Sequence, residues 1–253
     1  MKIVIIGGTG LIGRPLVGLL QANGYEVVAA SPSMGIDALT GAGLAQALKD
    51  AAVVVDVSNA PSFEDAAALA FFRTTTTHIL EAARAAGVRH FVALSVVGTD
   101  RLQGSGYFRA KLAQEQLITD GDMPYTIVRA TQFFEFLSTI ADGYTRDGAV
   151  HLPGIALQPV AAADVSALLA EIATAAPAHA IVEVAGPERA PLDEFTASWL
   201  GARDDPRRII VTDERDYFGA FADDRTLVPG DDARIAPTRF DAWLAAQSQE
   251  HMA

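Results

Sequence analysis

"KIVIIGGTGLIGRPL", residues 2–16, decides the fold. Its first five residues are almost uninterrupted apolar side chains, as in a strand covered on both faces. Glycines at 7, 8, 10 and 13 follow at once, and a helix-like stretch begins at residue 11. Three of these glycines have separate tasks. Gly7 permits a tight turn, Gly10 lets a pyrophosphate come close to the backbone, and Gly13 lets the helix lie against the strand. The helix start adds unpaired N–H groups and a positive dipole end. Strand, glycine turn and helix in this order predict a dinucleotide site formed by Gly7, Thr9, Gly10, Leu11, Ile12, Gly13 and Arg14.

The pattern repeats outward from this turn. Apolar runs at 25–31, 52–58, 88–98 and 125–130 alternate with helix-like stretches at 43–50, 63–87 and 105–119. Such alternation predicts right-handed βαβ units and an α/β, Rossmann-type doubly wound parallel sheet. The pattern loosens after Ala130. Residues 131–144 read as helix, 149–154 as a short strand, and 161–176 and 180–186 as one more helix–strand unit that rejoins the sheet. Residues 1–130 and 156–186 are therefore expected to form the dinucleotide-binding core. Residues 131–155 and 187–253 are expected to form a smaller lobe over the sheet's carboxyl edge.

Composition narrows the function. The chain has 253 residues, a net charge of −12, half of its residues hydrophobic and no cysteine. This composition suits a sizeable core and excludes disulfides, zinc–thiolate sites and thiol catalysis. The acidic balance offers no footprint for nucleic acid or anionic lipid. Neither a signal-peptide pattern nor a membrane-length apolar stretch is present, so a cytoplasmic location is expected. His78, His90, His151, His179 and His251 are scattered without metal-ligand spacing, and no metal site is predicted.

The end of the second strand indicates which dinucleotide. An NAD site usually has an acidic residue there, on the ribose 2′-OH. Here the residues are Ala30, Ser31, Pro32 and Ser33. Without a carboxylate to repel a 2′-phosphate, and with Ser31, Ser33 and Arg14 to receive one, NADP(H) is favoured over NAD(H). Ser58 and Asn59, at the end of the third strand, are expected to pass close to the cofactor.

"SGYFRAKLAQEQL", residues 105–117, places Tyr107, Lys111 and Glu115 four apart, on one face of a helix. A cation one turn from a phenol is expected to stabilise the phenolate and lower its pKa. Such a pair can exchange a proton with a carbonyl or alcohol oxygen while a nicotinamide exchanges hydride.

Together, "GGTGLIG", "ALSVVGTD", "GYFRAKLAQEQL", "YTIVRATQFFEF", "AAADVSALLAEIA" and "VEVAGPE" resemble the short-chain dehydrogenase/reductases. The resemblance is to their atypical, NmrA-like NAD(P)H-binding branch, over about residues 1–200. It implies a Rossmann core, a small C-terminal substrate lobe and a nicotinamide cofactor. It also implies that Tyr107 and Lys111 are the Tyr-x-x-x-Lys pair, that Lys111 bonds the nicotinamide ribose, and that the family's hydroxyl residue, which would hold the substrate oxygen, falls most nearly on Ser95. Thr131, Gln132, Phe133 and Phe136 would border the nicotinamide and substrate.

The expected function is an NADP(H)-dependent oxidoreductase acting on a small carbonyl, quinone or enone. Its partners would be that substrate and, if it assembles, a second copy in a homodimer. The alternative is a non-catalytic, NADP(H)-sensing regulator of the same branch, motivated by the eleven-residue gap between Ser95 and Tyr107. An epimerase or dehydratase holding NAD fits less well, since no sugar-nucleotide clamp is evident.

Overall fold

The computed structural model describes residues 1–250, with side chains to Gln247; His251, one of the five histidines weighed above, and the end of the expected lobe lie outside the described residues. Five strands come first: β1 (Lys2–Ile6), β2 (Glu26–Ala30), β3 (Val53–Asp56), β4 (His90–Val96) and β5 (Tyr125–Ala130). Between them lie α1 (Gly13–Ala22), α2 (Leu44–Leu48), α3 (Asp65–Ala85) and α4 (Gly106–Thr119). The second half contains α5 (Leu137–Gly143), β6 (Thr145–Arg146), β7 (Ala149–Pro153), β8 (Ala156–Leu157), α6 (Ala162–Thr174) and β9 (Ala180–Ala185). It continues with β10 (Ala190–Pro191), α7 (Leu192–Gly201), β11 (Arg208–Thr212), β12 (Asp216–Tyr217), β13 (Ala220–Phe221), β14 (Arg234–Ile235) and α8 (Phe240–Glu250).

The main sheet has the order β14-β9-β5-β4-β3-β1-β2, and every pairing in it is parallel. This is the Rossmann-type doubly wound α/β fold. Alternate residues of β1 explain its apolar run. Ile3 and Ile5 pack with Leu16 and Leu20 of α1 and Val165 and Leu169 of α6. Val4 and Ile6 face the other way, with Leu48, Ile79, Phe91 and Ile127. Burial on both faces is what a parallel sheet under two helical layers requires.

From β1 the chain moves outward to β2, then crosses back to β3 on the other side of β1. That reversal is the topological switch point, and in such sheets ligands bind beyond the carboxyl ends of the strands that flank it, here β1 and β3.

Residues beyond 186 hold more strand than their sequence indicates. β11 lies parallel to β7, β12 and β13 form a tight hairpin, and β14 extends the main sheet beside β9. The expected helix over 131–144 is a 3₁₀ turn at Phe134–Phe136 followed by α5. No helix among the described residues is long and apolar enough to cross a membrane.

Candidate active site

The glycine turn closes on itself and on its neighbours. Gly7 has φ of +81°, and its N–H donates to Ala30 O at the end of β2, 2.9 Å away. A Cβ on Gly7 would lie 2.9 Å from Ser58 N, so the turn touches the loop after β3 directly. A Cβ on Gly13 would lie 2.1 Å from Gly7 O, which is why α1 can start only with glycine there. Gly8 was not given a task by the motif, yet a Cβ on it would lie 2.8 Å from Ala29 Cα. Thr9, Gly10 and Leu11 are exposed at the crest, and no side chain caps the start of α1. A turn with no room for side chains at Gly7, Gly8 and Gly13, leading into a helix start without a side-chain cap, fits a dinucleotide's phosphates.

The neighbouring strand ends fit as well. Ser31 Oγ and Ser33 Oγ lie 2.9 Å apart. Arg14 is exposed and donates to Thr9 O at 3.3 Å. Asp37, further along, accepts the N–H of Leu39 and so shapes its own turn.

α4 is the polar helix of the site. Lys111 is 3% exposed, Gln114 1% and Glu115 3%, so this face is interior and not solvated surface. Tyr107 is half-buried among Phe63, Phe72 and Phe108, all edge-on at 5.3–6.0 Å. Its hydroxyl donates to Asn59 Oδ1 at 3.1 Å. The glycine turn, Ser58, Asn59 and Tyr107 are thereby contiguous along the carboxyl edge.

The expected lowering of the Tyr107 pKa is not what this geometry gives. Burial pushes the phenol above its usual range, and Lys111 is not among the groups acting on it. The reason is direction. Lys111 Nζ turns to Leu94 O at 2.8 Å and to Gln114 Oε1, and it stands 4.5 Å from the centre of the Phe72 ring. Burial lowers the Lys111 pKa to about 8, against the upward pull of Asp56 and Glu115.

Ser95 is at the end of β4, as expected, but its hydroxyl is engaged. It donates to Glu115 Oε1 at 2.5 Å. Glu115 also takes a two-pronged bond from Arg129, with Nε at 3.0 Å and Nη2 at 2.6 Å. Asp100 meets the same guanidinium at 3.1 Å.

After β5, Thr131 and Gln132 are buried, and Thr131 Oγ1 with both polar atoms of Gln132 have no hydrogen-bond partner. Buried polar atoms are normally paired, so three orphans together at the carboxyl edge suit a bound polar ligand. Phe133 packs on the α1–α6 side of the sheet, whereas Phe136 faces Phe218 in the second half of the chain. The four residues therefore split: the first two present unpaired polar atoms, and the phenylalanines pack on different layers.

Sequence reasoning missed several residues. Asp56, Gln114 and Arg129 form the buried polar frame around Lys111 and Glu115. An arginine inside the strand "YTIVRA" is itself a signal, because a buried charge needs a partner. Tyr217 is also buried at this end. Tyr144 pins the backbone on either side of it, donating to Asp216 O at 3.0 Å and accepting from Phe218 N at 2.9 Å. Gly219, between Tyr217–Phe218 and Phe221, was the available hairpin signal.

Comparison with known proteins agrees with this geometry. A family model described as NAD(P)H-binding matches residues 7–176. A "(4-alkanoyl-5-oxo-2,5-dihydrofuran-3-yl)methyl phosphate reductase" of Streptomyces griseus is 30% identical over 161 residues, which is 58% of this chain and 54% of that one. The chain spans 47% to 61% of the lengths of the curated relatives it matches. A short-chain dehydrogenase/reductase superfamily protein from Agrobacterium tumefaciens, solved with NAD, superposes with a TM-score of 0.71 at 18% identity, covering 100% of this chain and 97% of that one. An NADPH-dependent quinone oxidoreductase from Escherichia coli superposes with a TM-score of 0.70 at 18% identity, covering 97% and 99%.

Proposed function

The chain belongs to the NAD(P)H-binding family, and from that premise we propose that it is an NADPH-dependent reductase of small carbonyl, quinone or enone compounds. The observation that carries this reading is the continuous edge from Gly7 through Ser58 and Asn59 to the Tyr107 hydroxyl. It would set a phosphate cradle and a half-buried phenol along one edge. The reductase relative acts, by its name, on an unsaturated oxo compound, which is in keeping with this substrate class.

The turn Gly7, Thr9, Gly10, Leu11, Ile12, Gly13 and Arg14 would hold the pyrophosphate, with Ser58 and Asn59 alongside. Ser31, Ser33 and Arg14 would receive a 2′-phosphate, which favours NADPH. The nicotinamide, when bound, supplies hydride. Tyr107 stays protonated at neutral pH and would give that proton to the substrate oxygen, as a weaker acid than a free phenol because desolvation raises its pKa. Lys111 would contact the nicotinamide ribose. Thr131 and Gln132 offer unpaired polar atoms to substrate, and the lobe of residues 131–155 and 187–253 would supply the rest of the pocket wall.

One observation favours the second reading, a non-catalytic NADP(H) sensor. Ser95 is committed to Glu115 and not free for a substrate oxygen. The two readings part in one experiment. NADPH and NADH are titrated by calorimetry, and the tighter one is then followed at 340 nm against a panel of quinones, enones and simple carbonyls. Turnover with at least one class is expected. Tight NADPH binding with no oxidation anywhere on the panel would count against the reductase and favour the sensor.

Gly13→Ala tests the cradle separately. Its methyl would be forced onto Gly7 O, and overpacking of this kind costs about 1–3 kcal/mol, so the NADPH Kd should rise about tenfold or more. Fluorescence titration on protein with an unchanged circular dichroism spectrum is the check.

A further inference from the structure

We propose that Asp56 and Gln114 are positioning residues, which through one buried amide fix where Lys111 points and supply its counter-charge. The inference rests on the reading of Lys111 as a cofactor contact, and it deepens that reading. Gln114 bridges the two charges. Its Oε1 accepts from Lys111 Nζ, and its Nε2 donates to Asp56 Oδ2 at 3.0 Å. The amide can serve in this orientation only, because the flipped one would set NH₂ against ammonium and oxygen against carboxylate. Leu94 O takes a second N–H of the ammonium, which leaves a third for a ligand.

Asp56 reaches the other half of the site as well. It is the last residue of β3 and is 1% exposed. Its Oδ1 accepts from Ser58 N at 3.0 Å and Ser58 Oγ at 2.6 Å. Those bonds shape the loop whose next residue, Asn59, holds the Tyr107 hydroxyl. One carboxylate thus anchors the loop that carries Tyr107's partner and, through Gln114, the lysine.

The other charged groups facing Lys111 are accounted for. Glu115, on the same helix, is neutralised by Arg129 from β5. α3 presents the Phe72 ring, while its Asp65 pairs with Arg109 at the outer end of α4. Asp56, which has no cation of its own among the described residues, is therefore the main carboxylate balancing Lys111, with a lesser pull from Glu115. Burial pushes Asp56 up, against its bonds from Ser58 and the pull of Lys111 and Gln114.

The test does not depend on turnover. The chain has three lysines, Lys2, Lys49 and Lys111, so lysine labelled with carbon-13 at Cε gives three resolvable signals. Lys111→Arg identifies the third by its loss. In the intact protein the Lys111 signal should titrate near pH 8. Asp56→Asn keeps the shape, removes the charge and sets an NH₂ donor where Gln114 Nε2 now finds an acceptor, so the proton affinity of Lys111 should fall about tenfold. Gln114→Leu should lower it in the same direction and weaken NADPH binding several-fold. If NADPH oxidation is found, the alkaline limb of kcat/KM should move with the Lys111 signal in Asp56→Asn. A folded Asp56→Asn whose Lys111 signal titrates as in the intact protein overturns the proposal, and so does an unmoved signal in Gln114→Leu. If no substrate is turned over, the reductase reading fails, while the lysine titration still decides the clamp.

Discussion

Tyr107→Phe is expected to lower turnover of the preferred substrate by about 10²–10⁴-fold while leaving NADPH binding unchanged. The substitution removes one oxygen. The ring keeps its edge-on neighbours Phe63, Phe72 and Phe108, so neither the helix nor the pocket wall should move. What is lost is the proton that Asn59 holds in place at 3.1 Å. The phenol is protonated through the physiological range and so is present as an acid, with desolvation making it a weaker one than a free tyrosine. The same fact separates the two residues of the pair in a pH profile. Tyr107 should impose no fall in rate below pH 10, whereas Lys111 loses its proton near pH 8 and should impose one there. Steady-state kinetics with a parallel fluorescence titration checks both. Unchanged turnover in Tyr107→Phe would remove the phenol from the chemistry, and weakened NADPH binding would make it a cofactor contact instead.

The parts of this protein that were legible in the sequence are those governed by local rules. A glycine turn is required by backbone sterics within a dozen residues, and each of Gly7 and Gly13 proves to be closed against named atoms. The parallel strands were legible because burial on both faces leaves long apolar runs, and their boundaries differ only by frayed ends. The short elements after Gly186 were not. Strands of two residues, such as β12, β13 and β14, are too short to show a period, and their pairings are set by distant partners. The direction of the Tyr107 shift was illegible for a related reason. Spacing puts Lys111 on the face that holds Tyr107, but Leu94 and Gln114 decide where its ammonium turns. Glu115 was visible as the third member of that face, yet its meaning depends on Arg129 fourteen residues later, on β5.

That last pair carries the second large effect. Glu115→Ala is expected to destabilise the fold by about 3 kcal/mol and to lower Tm by about 6–12 °C. Glu115 and Arg129 are 3% and 8% exposed, and the carboxylate receives both prongs of the guanidinium together with the Ser95 hydroxyl. Removing it strands a buried cation and frees a buried hydroxyl. Asp100 still meets Arg129 at 3.1 Å, from a side chain that is 54% exposed, and this partial relief places the loss at the lower end for a broken buried pair. The contrast lies at the surface. Arg84 and Asp122 are also 2.9 Å apart, but with side chains 54% and 84% exposed, and Arg84→Ala should leave Tm unchanged. The double variant Glu115→Leu with Arg129→Met removes both charges together and should regain most of the lost stability, because apolar packing replaces a buried ion pair at little cost. Thermal melts of the four proteins decide it. If Glu115→Ala melts with the unaltered protein, the buried frame behind Lys111 is not held by this pair.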